Sequence, residues 1–150
     1  MRLTTHADLC FRTLIFLGVA KSDGATIPQI AAAFGASEHH LRKVVQEMGR
    51  LNLVRATRGR SGGLRLAVSP AEVTIGGLLR LFEPEFAAAH CLGAGQNGCV
   101  IFGACGLQNV FDESLRALFV VLDRYTLADV LDSSRGVAAK LGLSAAPPPV

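Results

Sequence analysis

The sequence has no run of about 18 apolar residues, the length a membrane-spanning helix needs, and no basic segment leading into an apolar stretch and a cleavage site. These absences argue against a membrane partner and against export, and the expectation is a soluble, cytoplasmic chain. There is no C-x-x-C pair, so the tight knuckle of most structural zinc sites and the dithiol of thioredoxin-like oxidoreductases are both missing. There is no internal repeat. The four histidines, His6, His39, His40 and His90, lack a nucleophile and an orienting acid at a spacing that would bring them together, so no enzyme is expected. Acidic residues are scarce in one half only. Residues 1–70 hold ten Lys/Arg against four Asp/Glu, and residues 71–150 hold five against eight. A basic half of this kind suits a polyanion, whose phosphates are the usual partners of such an excess.

What is present suits one compact domain with an added dimerisation element. The chain has 150 residues, half of them apolar, which supplies ample material for a core. Residues 4–20 start with Thr4 or Thr5 as an N-cap and contain no proline. Leu3, Ala7, Cys10, Phe11, Leu14 and Leu17 keep helical spacing. Beyond residue 13 the segment is apolar nearly all round, so it should be sandwiched and not lie on a surface. "KSDGAT" reads as a loop. Thr26 then caps a short helix with Pro28 in its first turn, and Gly35 ends it. Ser37 caps the next helix, where Leu41, Val44, Val45, Met48 and Leu51 make the inward stripe. Two short amphipathic helices joined by a tight glycine-containing turn describe a helix-turn-helix.

The outward face of the second helix carries Ser37, Glu38, His39, His40, Arg42, Lys43 and Gln46. Outward residues near the start of a recognition helix are the ones that reach base edges in the major groove. The next segment, "LVRATRGRSGGLRLAVSP", alternates on both sides of a turn and reads as a β-hairpin. Its tip holds Arg58, Arg60, Ser61 and Gly62. A hairpin directly after a helix-turn-helix is a wing, and arginines on its tip can enter the narrow minor groove or bind phosphates. Thr74 opens a further helix that runs to Glu83 and is stopped by Pro84. Leu107, Val110, Phe111, Leu115, Leu118 and Leu122 stripe a long helix suited to dimerisation, with packing onto the first helix of the same chain as the alternative. "YTLADVL" is a last short helix, capped by Thr126 with Asp129 three residues on. Residues 135–150, ending "SAAPPPV", should be without order. The fold class is therefore mainly α with a β-hairpin wing, a winged helix-turn-helix followed by a long dimerisation helix.

Four cysteines in a reducing compartment call for a thiolate role or simple burial. Cys10 lies on the apolar face of the first helix, which suits a buried free thiol. Cys91, Cys99 and Cys105 lie on one glycine-rich loop, with seven and then five residues between them. An iron–sulfur cluster suits ligands spread over a long loop whose glycines let the backbone approach. Zinc held by these three with His90, and thiol redox chemistry, stay open on spacing alone.

Several stretches resemble the Rrf-type winged-helix repressors, a family of iron–sulfur and nitric-oxide-responsive regulators. They are "MRLTTHADLC", "IAAAFGASEHHLRKVV", "RGRSGGLRLA", "EPEF", the three-cysteine loop and "LDRYTLADVL". The resemblance covers residues 1 to about 133, and "RLFEPEFAAAHC" and "LDRYTLADVL" are more similar to the nitric-oxide-sensing branch. It implies a homodimer on a palindromic double-stranded DNA operator, with one cluster, 2Fe–2S or 4Fe–4S, per subunit and nitric oxide as the signal that releases the DNA. Cys91, Cys99 and Cys105 fall at its cluster ligands. Arg58, Gly59, Gly62, Gly63 and Leu64 fall in its wing, and His40 and Lys43 on its recognition helix. The implied fourth ligand is a non-cysteine residue from the N-terminal helix of the partner subunit. Among His90, Cys10, His6 and Asp8, that points to Asp8, with His6 second; an acidic residue facing the helix dipole is the plain alternative. The chain departs from the family in its longer first spacer and in Glu38, an acid on the reading helix. The organisation expected is a DNA-binding domain over 1–83, a cluster loop over 84–106, the dimerisation and short terminal helices over 107–134, and a tail over 135–150. The rival readings are a sensor of iron or cluster supply in the same family, and a zinc or redox protein whose basic face is incidental.

Overall fold

One helix, α1 (Thr5–Ala20), is packed on most of its circumference and organises the rest. The computed structural model describes residues 2–57, 62–87, 99–133 and 136–143. Thr4 is the N-cap of α1, its hydroxyl accepting from Ala7 N at 3.1 Å. Ala7, Leu9, Cys10, Leu14, Phe16 and Leu17 are all buried. They cover more than one stripe, so α1 is sandwiched as its all-round apolarity requires. The buried Thr13 does not disturb this, because its hydroxyl donates to Leu9 O at 2.7 Å.

The helix-turn-helix follows. The stretch expected as a loop includes one 3₁₀ turn, Lys21–Asp23. Thr26 and Gln29 form a capping box at the start of α2 (Ile27–Phe34), and Gly35 ends it in the left-handed region at φ +60°. Helix α3 (Glu38–Arg50), the one expected to be the recognition helix, follows the N-cap residue Ser37. Ser37 holds the N-cap position, but its hydroxyl makes no capping bond. The backbone enters the helix on its own, with Leu41 N donating to Ser37 O at 3.0 Å.

The hairpin pairs β1 (Val54–Thr57) antiparallel with β2 (Gly63–Leu66) in the register Val54↔Leu66, Arg55↔Arg65, Ala56↔Leu64, Thr57↔Gly63. Ala25 adds a third, one-residue rung: Ala25 N donates to Leu64 O at 3.0 Å and Leu64 N to Ala25 O at 2.7 Å. This rung anchors the wing to the loop after α1. Helix α4 (Ile75–Phe82) is capped by Thr74, whose hydroxyl accepts from Gly77 N at 3.0 Å. After α5 (Gly106–Leu122), α6 (Leu127–Ser133) opens with Thr126 and Asp129 bonding reciprocally, Thr126 N to Asp129 Oδ2 at 2.7 Å and Asp129 N to Thr126 Oγ1 at 3.2 Å. The expected disordered tail is corrected at its start. Val137–Lys140 form a short helix, α7, and Leu141 and Leu143 pack against the core. Partial burial of these two leucines helps offset the ordering of so short a segment.

One core joins Leu14, Leu17, Ile30, Leu41, Met48 and Leu127 from four helices. Helix α5 stands apart from it. None of its residues is buried, and Leu107 and Val110 are more than half exposed.

Candidate nucleic-acid interface and thiol loop

The two faces of α3 are set by its apolar spacing. Leu41, Val44 and Met48 are turned into the core and are essentially inaccessible. That leaves Ser37, His39, His40, Arg42 and Lys43 all exposed along the opposite face, together with Gln46. The acid that looks out of place in the sequence is paired: Arg42 Nη2 donates to Glu38 Oε2 at 3.0 Å, one helical turn away. An exposed pair of this kind is worth at most about 1 kcal/mol, so a phosphate or a base edge can draw Arg42 from it. Of the wing residues, Gly62 lies at the foot of β2, where Thr57 Oγ1 donates to Gly63 O at 3.1 Å and accepts from Gly63 N at 3.2 Å. Arg58, Arg60 and Ser61 lie outside the described residues.

The second set of candidate residues surrounds the start of α5. Cys99 is exposed and Cys105 half-buried, and both are free thiols. Two successive turns join them, Phe102 N donating to Cys99 O and Ala104 N to Ile101 O, each at 3.1 Å. Cys105 occupies the N-cap position of α5, and its thiol makes no capping bond. It therefore sits uncommitted beside the open N–H groups of the first helical turn, which favour negative charge. Gly103 has φ +82°, and a Cβ there, or at Gly106, would have no atom within 4 Å. Free thiols beside open backbone N–H groups are a donor set that fits a thiolate-bound iron–sulfur cluster. Cys91 and His90 lie outside the described residues, and among the described residues no three potential ligands converge.

Asp8 lies in the first turn of α1 and pairs with Arg12, Arg12 Nε to Asp8 Oδ2 at 2.9 Å, with both side chains more than two-fifths exposed. Its carboxylate is thus held by a neighbour that a stronger ligand can displace. His6, one turn before Cys10, bridges two elements. Its Nε2 is 2.9 Å from Glu47 Oε2 on α3 and 3.6 Å from Cys10 Sγ. A groove of about 240 Å³ opens beside it, lined by Thr5, His6 and Leu9 of α1 and by His40, Lys43 and Val44 of α3. The start of α1 is therefore in direct contact with the reading helix.

Cys10 is fully buried, as its place on the apolar face implies. Burial pushes its thiol up to about 12, with the carboxylates of Glu47 and Glu83 adding to the effect. A protonated, inaccessible thiol is a poor nucleophile. Iodoacetamide applied to folded, cluster-free protein near pH 8 is expected to label Cys99 and Cys105 and to spare Cys10 until denaturant is added. Peptide mass spectrometry reads this directly, and labelling of native Cys10 at a comparable rate would contradict it.

The far end of α5 is fastened to the helix-turn-helix body. Arg80 of α4 forks onto Asp123, with Nη1–Oδ1 2.7 Å and Nη2–Oδ2 2.9 Å, and its guanidinium lies 4.1 Å over the ring of Phe119. The Arg80 guanidinium holds the Asp123 carboxyl below the usual carboxylate range. Backbone bonds complete the joint, Ile75 N donating to Tyr125 O at 2.8 Å and Leu127 N to Val73 O at 2.9 Å. Helix α5 is thus locked at its far end to the helix-turn-helix body, while Leu107 and Val110 near its cysteine end are exposed. The sequence gives no sign of this joint, because Arg80 and Asp123 are 43 residues apart with no motif between them.

Residues 3–133 match the Rrf2 family profile, described as an iron-dependent transcriptional regulator. The chain is similar to the HTH-type transcriptional regulator NsrR of Geobacillus kaustophilus, 42% identical over 142 residues that cover 94% of this chain and 97% of the relative. It is also similar to NsrR of Bacillus subtilis, 39% identical over 138 residues, covering 91% and 94%. Among solved structures, T. potens IscR superposes with a TM-score of 0.72 at 22% identity, covering 91% of this chain and 90% of that one, a likeness of fold.

Proposed function

The chain belongs to the Rrf2 family of transcriptional regulators, and within it we propose a homodimeric, DNA-binding repressor whose operator affinity is gated by an iron–sulfur cluster that reacts with nitric oxide. As a family of regulators, it is not a family of enzymes. No helix among the described residues is long and apolar enough to cross a membrane. The observation that carries the proposal is the placement of two free thiols at the loose end of α5, while its other end is bolted to the reading half through Arg80 and Asp123. The exposed apolar residues of α5 support the homodimer, since a second copy would remove them from water.

In this reading Cys91, Cys99 and Cys105 hold the cluster, either 2Fe–2S or 4Fe–4S, with Asp8 of the partner subunit as the fourth ligand. The cluster supplies an iron centre that nitric oxide can reach. The work of this chain's residues is then positional. Asp8, now paired with Arg12, would supply a carboxylate ligand to the cluster across the dimer, and that tie would fix the start of α1. His6, on the same turn, holds Glu47 and so holds α3. Two recognition helices must sit roughly 34 Å apart to read successive major grooves of one operator. His40, Arg42, Lys43, His39 and Ser37 face the bases and the flanking phosphates, while Arg58, Arg60, Ser61 and Gly62 of the wing take the adjacent minor groove.

Anaerobic purification tests the proposal. A coloured protein with matching iron and sulfide is expected, and a colourless protein with stoichiometric zinc would overturn it. Under the same conditions Asp8→Ala should hold the cluster loosely, and Asp8→Cys should hold it but respond sluggishly to nitric oxide. Wild-type spectra and kinetics in both would remove Asp8 from the ligand set. The iron-dependence in the family's description favours sensing of iron or cluster supply as a second reading, in which nitric oxide leaves operator binding unchanged.

A further inference from the structure

Two arginines face each other across the stem of the wing. Arg55 of β1 and Arg65 of β2 are directly paired in the antiparallel register, so their side chains share one face of the hairpin. Val54 and Leu64, the alternate residues, are buried in the core, which turns the arginine face outward. Like charges placed directly opposite destabilise a hairpin. Among the described residues Arg12, Arg42, Arg80 and Arg116 each have a carboxylate partner. Arg55 and Arg65 have none within 4 Å among the described residues. Arg65 is further held in place, because its side chain crosses Gly24, which adopts φ +66°. A Cβ at Gly24 would meet Arg65 Cγ at 3.1 Å and Arg65 Nε at 3.3 Å. That Nε is buried and has no hydrogen-bond partner among the described residues. A buried, unbonded guanidinium nitrogen on the same face of the hairpin as a second, unpaired arginine is a site short of an anion.

The stem's place in the fold says which anion. It leaves the C-terminal end of α3 through Asn52, with Leu53 N donating to Met48 O at 2.9 Å. A protein with α3 in a major groove and its wing tip in the neighbouring minor groove must carry the stem across the sugar–phosphate strand that separates the two. We propose that Arg55 and Arg65 form a two-guanidinium clamp for one backbone phosphate of the DNA, outside the residues that read bases. This rests on the DNA-binding reading above. It adds a contact that fixes register without carrying sequence information. Arginine is suited to it, because its planar fork matches phosphate oxygens in pairs.

The test uses full-length wild-type protein, Arg55→Gln, Arg65→Gln and Arg65→Lys. Affinity is followed against potassium chloride on a duplex that the wild type selects from random-sequence DNA, and on a scrambled duplex of equal length. Each glutamine variant should weaken both duplexes alike. It should flatten the salt dependence by about one unit of slope for each phosphate no longer neutralised, hence about two for a dimer. Arg65→Lys, which keeps the charge, should keep the slope. Inorganic phosphate added at constant ionic strength should leave binding unchanged. Wild-type salt slopes in both glutamine variants, or competition by phosphate at low millimolar concentration, would overturn the clamp while leaving the DNA-binding reading intact. Absence of salt-sensitive binding by the wild type would instead defeat both. Circular dichroism checks folding. If Arg65→Gln fails to fold, the exposed Arg55→Gln decides alone.

Discussion

Leu41→Ala is expected to lower the stability of the protein by about 2–5 kcal/mol, a large share of the 5–15 kcal/mol typical of a small domain. Leu41 is fully buried near the start of α3, within the core that also contains Val44, Met48 and Leu14. Truncation removes its burial and leaves a cavity that surrounding helices can only partly close. Urea unfolding of wild type and variant at matched protein concentration reads the difference. The neighbouring His40→Ala serves as the contrast. Its ring is exposed, so stability should change by less than about 0.5 kcal/mol, while operator affinity falls by about 1–3 kcal/mol if it contacts a base. A stable Leu41→Ala protein would mean that α3 is not held by the core in the way described.

Cys99→Ala has the largest expected effect on function. Cys99 is exposed and is not part of the core cluster, so the variant should fold and dimerise like the wild type. It should nevertheless be recovered with little iron or sulfide, and its operator affinity should drop to that of cluster-free wild-type protein. In the proposed reading, α5 is joined to the helix-turn-helix body through Arg80 and Asp123, so whatever holds Cys99 and Cys105 would set the angle of the body in each protomer. Iron and sulfide analysis, gel filtration and operator titration together decide the matter. Full operator affinity in the metal-free variant would separate the thiols from DNA binding.

Much of the fold is legible in the sequence because its signals are local. Thr26 with Gln29, Gly35, Thr74 and Thr126 with Asp129 are caps that act within one turn, and the structure places each at a helix end. The hairpin is legible from its alternation and glycine-rich turn. What escapes is non-local or too short to have a period. The one-residue rung at Ala25, the Arg80–Asp123 joint and the His6–Glu47 bridge all depend on contacts distant in sequence. The segment near 137–143 misleads because the alanines and prolines of the sequence after it outweigh two leucines that pack against the core. Ser37 has the residue type of a side-chain cap, yet its hydroxyl makes no capping bond. The outward face of α3 is legible down to single residues, since an aliphatic stripe leaves only one face exposed. The thiol loop is legible in composition alone. Spacing leaves iron–sulfur, zinc and redox chemistry open, and family resemblance, not geometry, chooses among them.

The most direct measurement is a nitric oxide titration of anaerobically purified protein bound to its operator, with the visible spectrum and the anisotropy of labelled DNA recorded in the same cuvette. A cluster-gated repressor should lose its spectrum and its DNA together, over one range of added nitric oxide. Wild-type protein prepared without the cluster should start with weak binding and show no further change. DNA that stays bound while the spectrum is lost would contradict the gating on which this account rests.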